Sequence, residues 1–152
     1  MRARTLLDLH NARVAIQGLR RVTDRLIGVG PFGVGLDGVL GWIPGVGAVY
    51  SVGAGTALLY QGIKVRAPAS LLAQMAFLIG ARTASDFIPA AGGLVDMLFT
   101  AHTWSADMLL KHMDSTFYVE GDPDEAKRMP EFAELMARIR SGDEKRRVVF
   151  LG

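Results

Sequence analysis

Charged side chains are rare in the middle of the chain and common near its two ends. Asp37 is the only charge in the range 26–63, and a second uncharged stretch covers 67–81. Apolar runs of about 18 residues or more with few charges are typical of membrane-spanning helices. Glycines and Pro44 interrupt the first run, so one straight span is not expected. The pattern favours helices in contact with a membrane, and the core of a soluble helical bundle is the alternative.

The two halves of this apolar region resemble each other. Ile43-Pro44 is repeated as Ile88-Pro89, and small residues follow each proline. Proline disfavours the helical conformation in the residue before it, and glycine permits a tight reversal. The repeat therefore predicts two tandem helical hairpins, over residues 26–66 and 67–114, with arms of about 24 to 30 Å. The predicted turn residues are Pro44, Gly45, Gly47, Pro89 and Gly92.

The N-terminal segment, residues 1–25, has apolar residues at three- and four-residue steps, which is typical of an amphipathic helix. Arg13, Arg20 and Arg21 lie off that apolar stripe. A basic amphipathic helix can lie in a membrane interface, and the alternative is a helix that packs on its own domain. The stripe comprises Leu9, Ala12, Ile16, Leu19, Val22 and Leu26.

The C-terminal segment, residues 115–152, is polar and is predicted to be a helical tail. Asp122 and Pro123 suit a helix start, because an acid caps the first turn and proline fits the first helical position. Pro130 begins a second helix with an apolar stripe, and Gly142 ends it. We expect this tail to be soluble and to dock on another surface. The apolar stripe comprises Phe132, Leu135, Met136 and Ile139.

Glycine is unusually frequent, with 18 of 152 residues against a usual share of about 7%. Gly47, Ser51 and Gly55 recur every four residues, as do Ala76 and Gly80. Small residues at this spacing let helix backbones approach closely. We expect packing within one chain, and self-association is the alternative.

Charge and cysteine content exclude several kinds of site. The net charge of +2 gives no reason to expect a nucleic-acid partner. The absence of cysteine excludes a disulfide framework and a Cys-based zinc site. The three histidines lack the spacing of metal ligands, so no metal or cofactor is expected.

No motif in the chain predicts a catalytic residue. Two glycine-rich segments, 28–33 and 33–38, match the dinucleotide pattern. Neither follows a convincing strand, and no acid occurs between Asp37 and Asp86 to hold a ribose. Asp37, Asp96 and His102 remain as candidate binding residues, because an acid in an apolar region is a functional candidate. A helix cap or a buried ion pair is the alternative for the two acids, and a polar helix face for the histidine.

Several of these features resemble an uncharacterised bacterial family of domains of unknown function, family 4112. The resemblance covers about residues 22–114 and implies a small, helical, membrane-associated protein with no established activity. The chain departs from the family pattern at both turns, where Gly47-Ala48 and Gly92-Gly93 replace the usual Gly-Asp. The residues that carry the resemblance are Gly35-Leu36-Asp37, Gly41, Ile43-Pro44-Gly45-Val46-Gly47, Met75, Ile88-Pro89, Gly92 and Asp96.

We therefore expect an all-α protein that acts as a membrane-associated scaffold or accessory subunit without catalytic activity. The expected partners are membrane lipid and a protein or a second copy of the chain. Basic residues cluster in the N-terminal region, at the joint around Lys64 and Arg66, and in the tail from Lys111. If each hairpin enters the membrane and returns, these three segments lie on the same side of it, which predicts a cytoplasmic membrane location with both termini in the cytoplasm. A soluble or peripheral carrier of lipid or another small apolar ligand is the alternative. An enzyme built around Asp37, Asp96 and His102 is the least favoured reading.

Overall fold

A computed structural model describes residues 2–27, 46–85 and 95–152. Four longer α-helices are followed by a tail of two strands and two shorter helices, so the fold is all-α with one small sheet. The predicted turn residues Pro44, Gly45, Pro89 and Gly92 lie outside the described residues. The elements are α1 (Leu6–Ile27), α2 (Val46–Lys64), α3 (Ala69–Ser85), α4 (Val95–Asp114), β1 (Thr116–Val119), α5 (Pro123–Ala126), α6 (Pro130–Ser141) and β2 (Arg147–Phe150).

A reciprocal capping box fixes the start of α1. The N–H of Asp8 donates to Thr5 Oγ1 at 3.1 Å, and Asp8 Oδ2 accepts the N–H groups of Arg4 at 3.0 Å and of Thr5 at 3.3 Å. These bonds satisfy N–H groups that the first helical turn leaves free. Backbone hydrogen bonding, first from Arg4, lowers the pKa of the Asp8 carboxyl.

Helix α1 packs on its own domain, which is the second of the two alternatives for this segment. Leu9, Ala12 and Ile16 of the predicted stripe are buried in the core. On the flank of the stripe, Arg13 pairs with Asp114 at 2.6 Å, and Arg20 pairs with Asp107 of α4 at 3.1 Å. These three residues face α4 and α2, whereas Val22 of the same stripe is 49% exposed.

The four long helices form one core in which α2 and α4 contact each other and both other helices. Gly55 of α2 lies against Ile79 of α3, where an added Cβ would overlap the Ile79 Cγ2. An added Cβ at Gly62 would lie 2.7 Å from Leu72 Cδ2 and 3.2 Å from Leu109 Cδ2. The packing of α3 on α4 agrees with the predicted second hairpin, and Gly55 is a close helix contact as its spacing predicts.

The junction between α2 and α3 is a Schellman motif with an unusual residue. The N–H of Ala67 donates to Gly62 O at 2.9 Å, and the N–H of Arg66 donates to Ile63 O at 3.2 Å. Glycine is usual at the left-handed position of this motif, but Arg66 occupies it with φ of 58°. The helix end therefore holds an arginine in a conformation that costs free energy for any residue with a Cβ.

The tail is not helical throughout, which corrects the prediction for residues 115–152. Strands β1 and β2 pair in parallel, with Thr116 opposite Arg147 and Val119 opposite Phe150. Parallel strands need a long crossover, and α5 and α6 provide it. The predicted helix signals are confirmed: Asp122 caps α5 by accepting the N–H of Asp124 at 2.8 Å, and Gly142 ends α6 with φ of 85°.

Candidate functional site

Of the three candidate binding residues, the structure describes only the side chain of His102. Asp37 lies outside the described residues. Asp96 is the second residue of α4, and its side chain also lies outside them. His102, on the same helix, is only 3% exposed. Where the structure describes the chain, no three His, Cys, Asp or Glu side chains are grouped to hold a metal ion.

A large exposed surface without charge covers the outer sides of α2 and α3. Phe77 is 75% exposed, and Val52, Tyr60 and Ile63 are each nearly half exposed. No charged residue occurs in 52–63 or in 67–81. We call this the α2–α3 surface. Its exposed residues are Val52, Gly53, Thr56, Tyr60 and Ile63 on α2, and Ala69, Ser70, Ala73, Gln74, Ala76, Phe77, Gly80 and Ala81 on α3.

The small residues of α3 contribute to this surface and not to helix packing. Ala76 and Gly80 are exposed, and an added Cβ at Gly80 would meet nothing within 4 Å. Their four-residue spacing matches that of Gly47, Ser51 and Gly55, so spacing alone does not separate a packed face from an open one. Gly47 and Ser51 lie in α2, and the surroundings of their side chains are outside the described structure.

Helices α1 and α4 expose both charged and apolar side chains. Arg13, Arg20 and Asp107 lie on these helices, where ion pairs link the two. Leu7 of α1 is 67% exposed and Trp104 of α4 is 45% exposed. The α2–α3 surface differs from them because it carries no charged residue.

Three polar contacts hold the base of the α2–α3 surface in place. Tyr118 Oη donates to Val65 O at 2.8 Å, Arg66 Nη2 donates to Leu151 O at 2.8 Å, and the N–H of Ala3 donates to Lys64 O at 2.9 Å. Part of the tail therefore docks on the hairpin junction of its own chain. Leu151, fully buried, joins the core there.

Burial changes the acid–base behaviour of two side chains near this junction. Burial, and then the charge of Arg147, lowers the pKa of His112. Burial also raises the pKa of Tyr118 and favours the protonated phenol, which is the form that donates to Val65 O. The hydroxyl of Thr116 lies beside both residues and donates to His112 O at 2.7 Å.

The remainder of the tail presents an apolar groove between α6 and β2. The groove has a volume of about 430 Å³. The rings of Phe132 and Phe150 lie 5.7 Å apart and hold the two elements together. Lys127, Arg146 and Arg147 line the groove with Met136, Ile139 and Val148. Lys127 pairs with Asp124 at 3.1 Å and Arg146 pairs with Glu144 at 2.6 Å, so Arg147 is the lining cation without an ion pair in the described part of the chain.

Sequence reasoning missed the exposed position of Phe77 and the role of Arg66. Phe77 lies in an uncharged helix where no polar stripe distinguishes inside from outside. Arg66 occupies a position at which glycine would have signalled the turn. In a helix without charged residues, tertiary packing decides which side faces the core, and a single sequence does not show that packing.

No described helix is both long enough and apolar enough to cross a membrane.

Comparison with known proteins identifies the family of the chain. It has no significant match among curated proteins or among solved structures. Residues 13–113 match the family described as "Domain of unknown function (DUF4112)". The matched range includes α2, α3 and the Ile-Pro repeat, and it ends before the strands of the tail. Since it covers more than half of the sequence, the chain belongs to the DUF4112 family.

Proposed function

We propose that the protein is a membrane-associated helical scaffold or accessory subunit without catalytic activity. In this proposal the α2–α3 surface rests on lipid and the tail contacts a protein partner in the cytoplasm. The observation that carries the proposal is the α2–α3 surface itself, which exposes Phe77, Val52, Tyr60 and Ile63 and contains no charged residue.

The composition of this surface fits lipid better than water. Soluble monomers seldom expose contiguous apolar surface beyond a few hundred Å². Only one side of α2 and of α3 is exposed, because their other sides pack on the core. In this proposal the exposed apolar side chains of both helices enter the boundary of headgroups and acyl chains, while the opposite sides stay packed on the core. Tyr60 combines an apolar ring with a polar tip, which suits that boundary.

The charges at one end of the surface fit an anionic membrane. Lys64 ends α2 and Arg66 follows two residues later, and the lining of the adjacent cavity includes Arg2 and Arg147. Basic residues near a cytoplasmic leaflet contribute about 1 kcal/mol each through attraction to anionic lipid. The basic end would face the headgroups while the apolar side chains enter the boundary.

The groove between α6 and β2 supports a protein contact for the tail. Its apolar wall suits the apolar side of an amphipathic segment, and Arg147, the lining cation without an ion pair among the described residues, suits an acidic residue of that segment. Phe132, Met136 and Ile139 belong to the predicted apolar stripe of α6 and are only half-buried in the single chain. A partner segment could bury their remaining surface.

Vesicle flotation of the purified full chain tests the membrane proposal. We expect the protein to float with phosphatidylcholine vesicles that contain phosphatidylglycerol, and to float less with phosphatidylcholine alone. Protein that stays monomeric and monodisperse without detergent, and that floats with neither vesicle, would contradict the proposal. A stable dimer that binds no vesicle would also contradict it and would assign the α2–α3 surface to self-association. Lipid that copurifies with detergent-free monomers would favour the carrier function.

A pair of substitutions on α6 tests the partner contact. Truncation of the tail is unsuitable because it would remove Leu151 from the core. Met136→Glu places a charge in the groove, whereas Ala137→Glu places the same charge at an exposed position of the same helix. We expect a protein captured by the wild-type chain from solubilised membranes to be lost with Met136→Glu and kept with Ala137→Glu. If all three chains capture the protein equally, the groove is not the contact site for the partner.

A further inference from the structure

A cavity of about 620 Å³ lies at the junction where the tail docks on the hairpins. Three arginines line it from three separate parts of the chain: Arg2 before α1, Arg66 between α2 and α3, and Arg147 at the start of β2. Arg2 and Arg147 lie outside the residues that match the family. The lining of the cavity therefore includes residues from outside the region that matches the family.

Arg66 is held in place by its own hydrogen bonds. Its Nη2 donates to Leu151 O at 2.8 Å and lies 3.5 Å from Ala3 O. Both bonds use Nη2, whereas Nε is buried and has no hydrogen-bond partner in the described structure. The left-handed backbone of Arg66, with φ of 58°, is unfavourable for any residue except glycine. Strained positions of this kind occur preferentially at functional sites.

The positive charge of the cavity is not neutralised by neighbouring side chains. No acidic side chain lines the cavity. Gly152 is part of the lining, but it forms no ion pair with the three arginines in the described structure. Arg2, Arg66 and Arg147 likewise form no ion pair with any described residue, in contrast to Arg13 and Arg20 on α1. Like charges repel when they are brought together, so an anion would relieve this arrangement.

We propose that the cavity binds the phosphate group of a phosphate ester that carries an apolar substituent. Guanidinium groups match phosphate oxygens in geometry and charge. Ile63, Leu72 and Phe150 form apolar walls next to the arginines, and the volume exceeds what a bare phosphate ion needs. Pockets for small ligands have comparable volumes, about 300 to 1,000 Å³. This site does not depend on the membrane proposal, because a soluble phosphate ester would bind it equally well.

The phosphate ester has two sources, a lipid headgroup and a soluble metabolite, and two probes distinguish them. Isothermal titration with phenyl phosphate measures binding of a soluble ester to the full chain. Flotation with phosphatidylcholine vesicles, with and without phosphatidic acid, measures binding of the same group in a membrane. Arg2→Gln and Arg147→Gln remove charge from exposed side chains, so both variants should fold. Arg4→Gln removes an exposed arginine that lies near Arg2 in sequence but does not line the cavity.

We expect Arg2→Gln and Arg147→Gln each to weaken binding by about tenfold, the effect of losing one charge-assisted hydrogen bond, while Arg4→Gln changes binding by less than about twofold. Loss of phenyl phosphate binding in the cavity variants assigns a soluble ester. If the cavity variants lose only the increase in flotation that phosphatidic acid causes, the ligand is a lipid headgroup.

Two results would overturn the site. One is the absence of binding to both probes, and the other is an Arg4→Gln effect as large as that of Arg2→Gln, which would indicate general attraction to charge. Phenyl phosphate binding by a protein that floats with no vesicle would keep this site and reject the membrane proposal. If the protein does not bind phenyl phosphate and none of the three substitutions changes its flotation, this site is rejected and the membrane proposal is kept.

Discussion

Gly53 and Gly55 lie two residues apart on α2 but have opposite surroundings. An added Cβ at Gly53 would meet nothing within 4 Å, whereas one at Gly55 would overlap Ile79 Cγ2. We expect Gly53→Ala to raise the free energy of unfolding by about 0.5 to 1 kcal/mol, because alanine loses less backbone entropy in a helix. Gly55→Ala should lower it by about 1 to 3 kcal/mol, because the stiff Ile79 must move. Chemical denaturation of both variants measures the two changes, and equal signs would refute the packing of α2 on α3.

His112 should make stability depend on pH. Burial and the charge of Arg147 lower its pKa in the folded protein, whereas the unfolded chain has a pKa of about 6.5. The unfolded state therefore binds more protons as pH falls, so stability decreases from pH 7.5 to 5.5. We expect the difference in Tm between these two pH values to be smaller in His112→Gln than in the wild type. His10→Gln, an exposed histidine on α1, serves as the control. A pH dependence unchanged by His112→Gln would contradict this assignment.

The contact made by a single residue can be predicted where its spacing from similar residues places them on one side of a helix. The four-residue spacing of Gly47, Ser51 and Gly55 predicts a close helix contact, and Gly55 makes one. Gly62 makes a similar contact without that signal. Arg66 was not predictable as a left-handed residue because the position normally requires glycine. Its side chain receives its partners, Leu151 O and Ala3 O, only after distant segments meet.

At the scale of the element, apolar burial and not the ion pairs should hold α1 on the bundle. Ile16 is completely buried, whereas the side chains of Arg13 and Asp114 are 36% and 63% exposed. We expect Ile16→Ala to lower the free energy of unfolding by about 2 to 5 kcal/mol. Asp114→Asn should lower it by less than about 1 kcal/mol, because solvent screens an exposed pair. Urea denaturation of the two variants measures both values. A larger loss in Asp114→Asn would show that charge pairing holds the helix.

The helices could be predicted from the sequence more fully than the strands. Periodic apolar residues, the Asp122 cap and Gly142 are local signals, and the structure agrees with each of them. Strands β1 and β2 are four residues long and pair in parallel across α5 and α6. Their pairing depends on contacts between distant segments, so residues 115–152 gave only the helical signals. Phe117, Tyr118, Val148 and Val149 are strand formers, but each run is too short to show an alternating pattern.

The whole molecule combines an uncharged α2–α3 surface, two helices that expose both charged and apolar side chains, and a basic end. The clustering of charges toward both chain ends predicts an uncharged middle, and the structure shows that α2 and α3 carry it. The candidate site was less predictable. Asp37, Asp96 and His102 were selected because polar residues are rare in apolar segments, whereas the exposed features are Phe77 on α3 and the arginine cavity. Those features arise when helices and tail come together.

The central claim is that the α2–α3 surface contacts lipid, and one pair of substitutions tests it most directly. Phe77→Asp places a charge on that surface, and Val14→Asp places the same charge at an exposed apolar position of α1. The measurement is vesicle flotation of both variants, after circular dichroism has shown that each is folded. We expect Phe77→Asp to weaken vesicle binding by about tenfold or more, the effect of losing one buried aromatic side chain, while Val14→Asp binds like the wild type. Equal binding by Phe77→Asp and the wild type, or an equal loss in both variants, would contradict the claim.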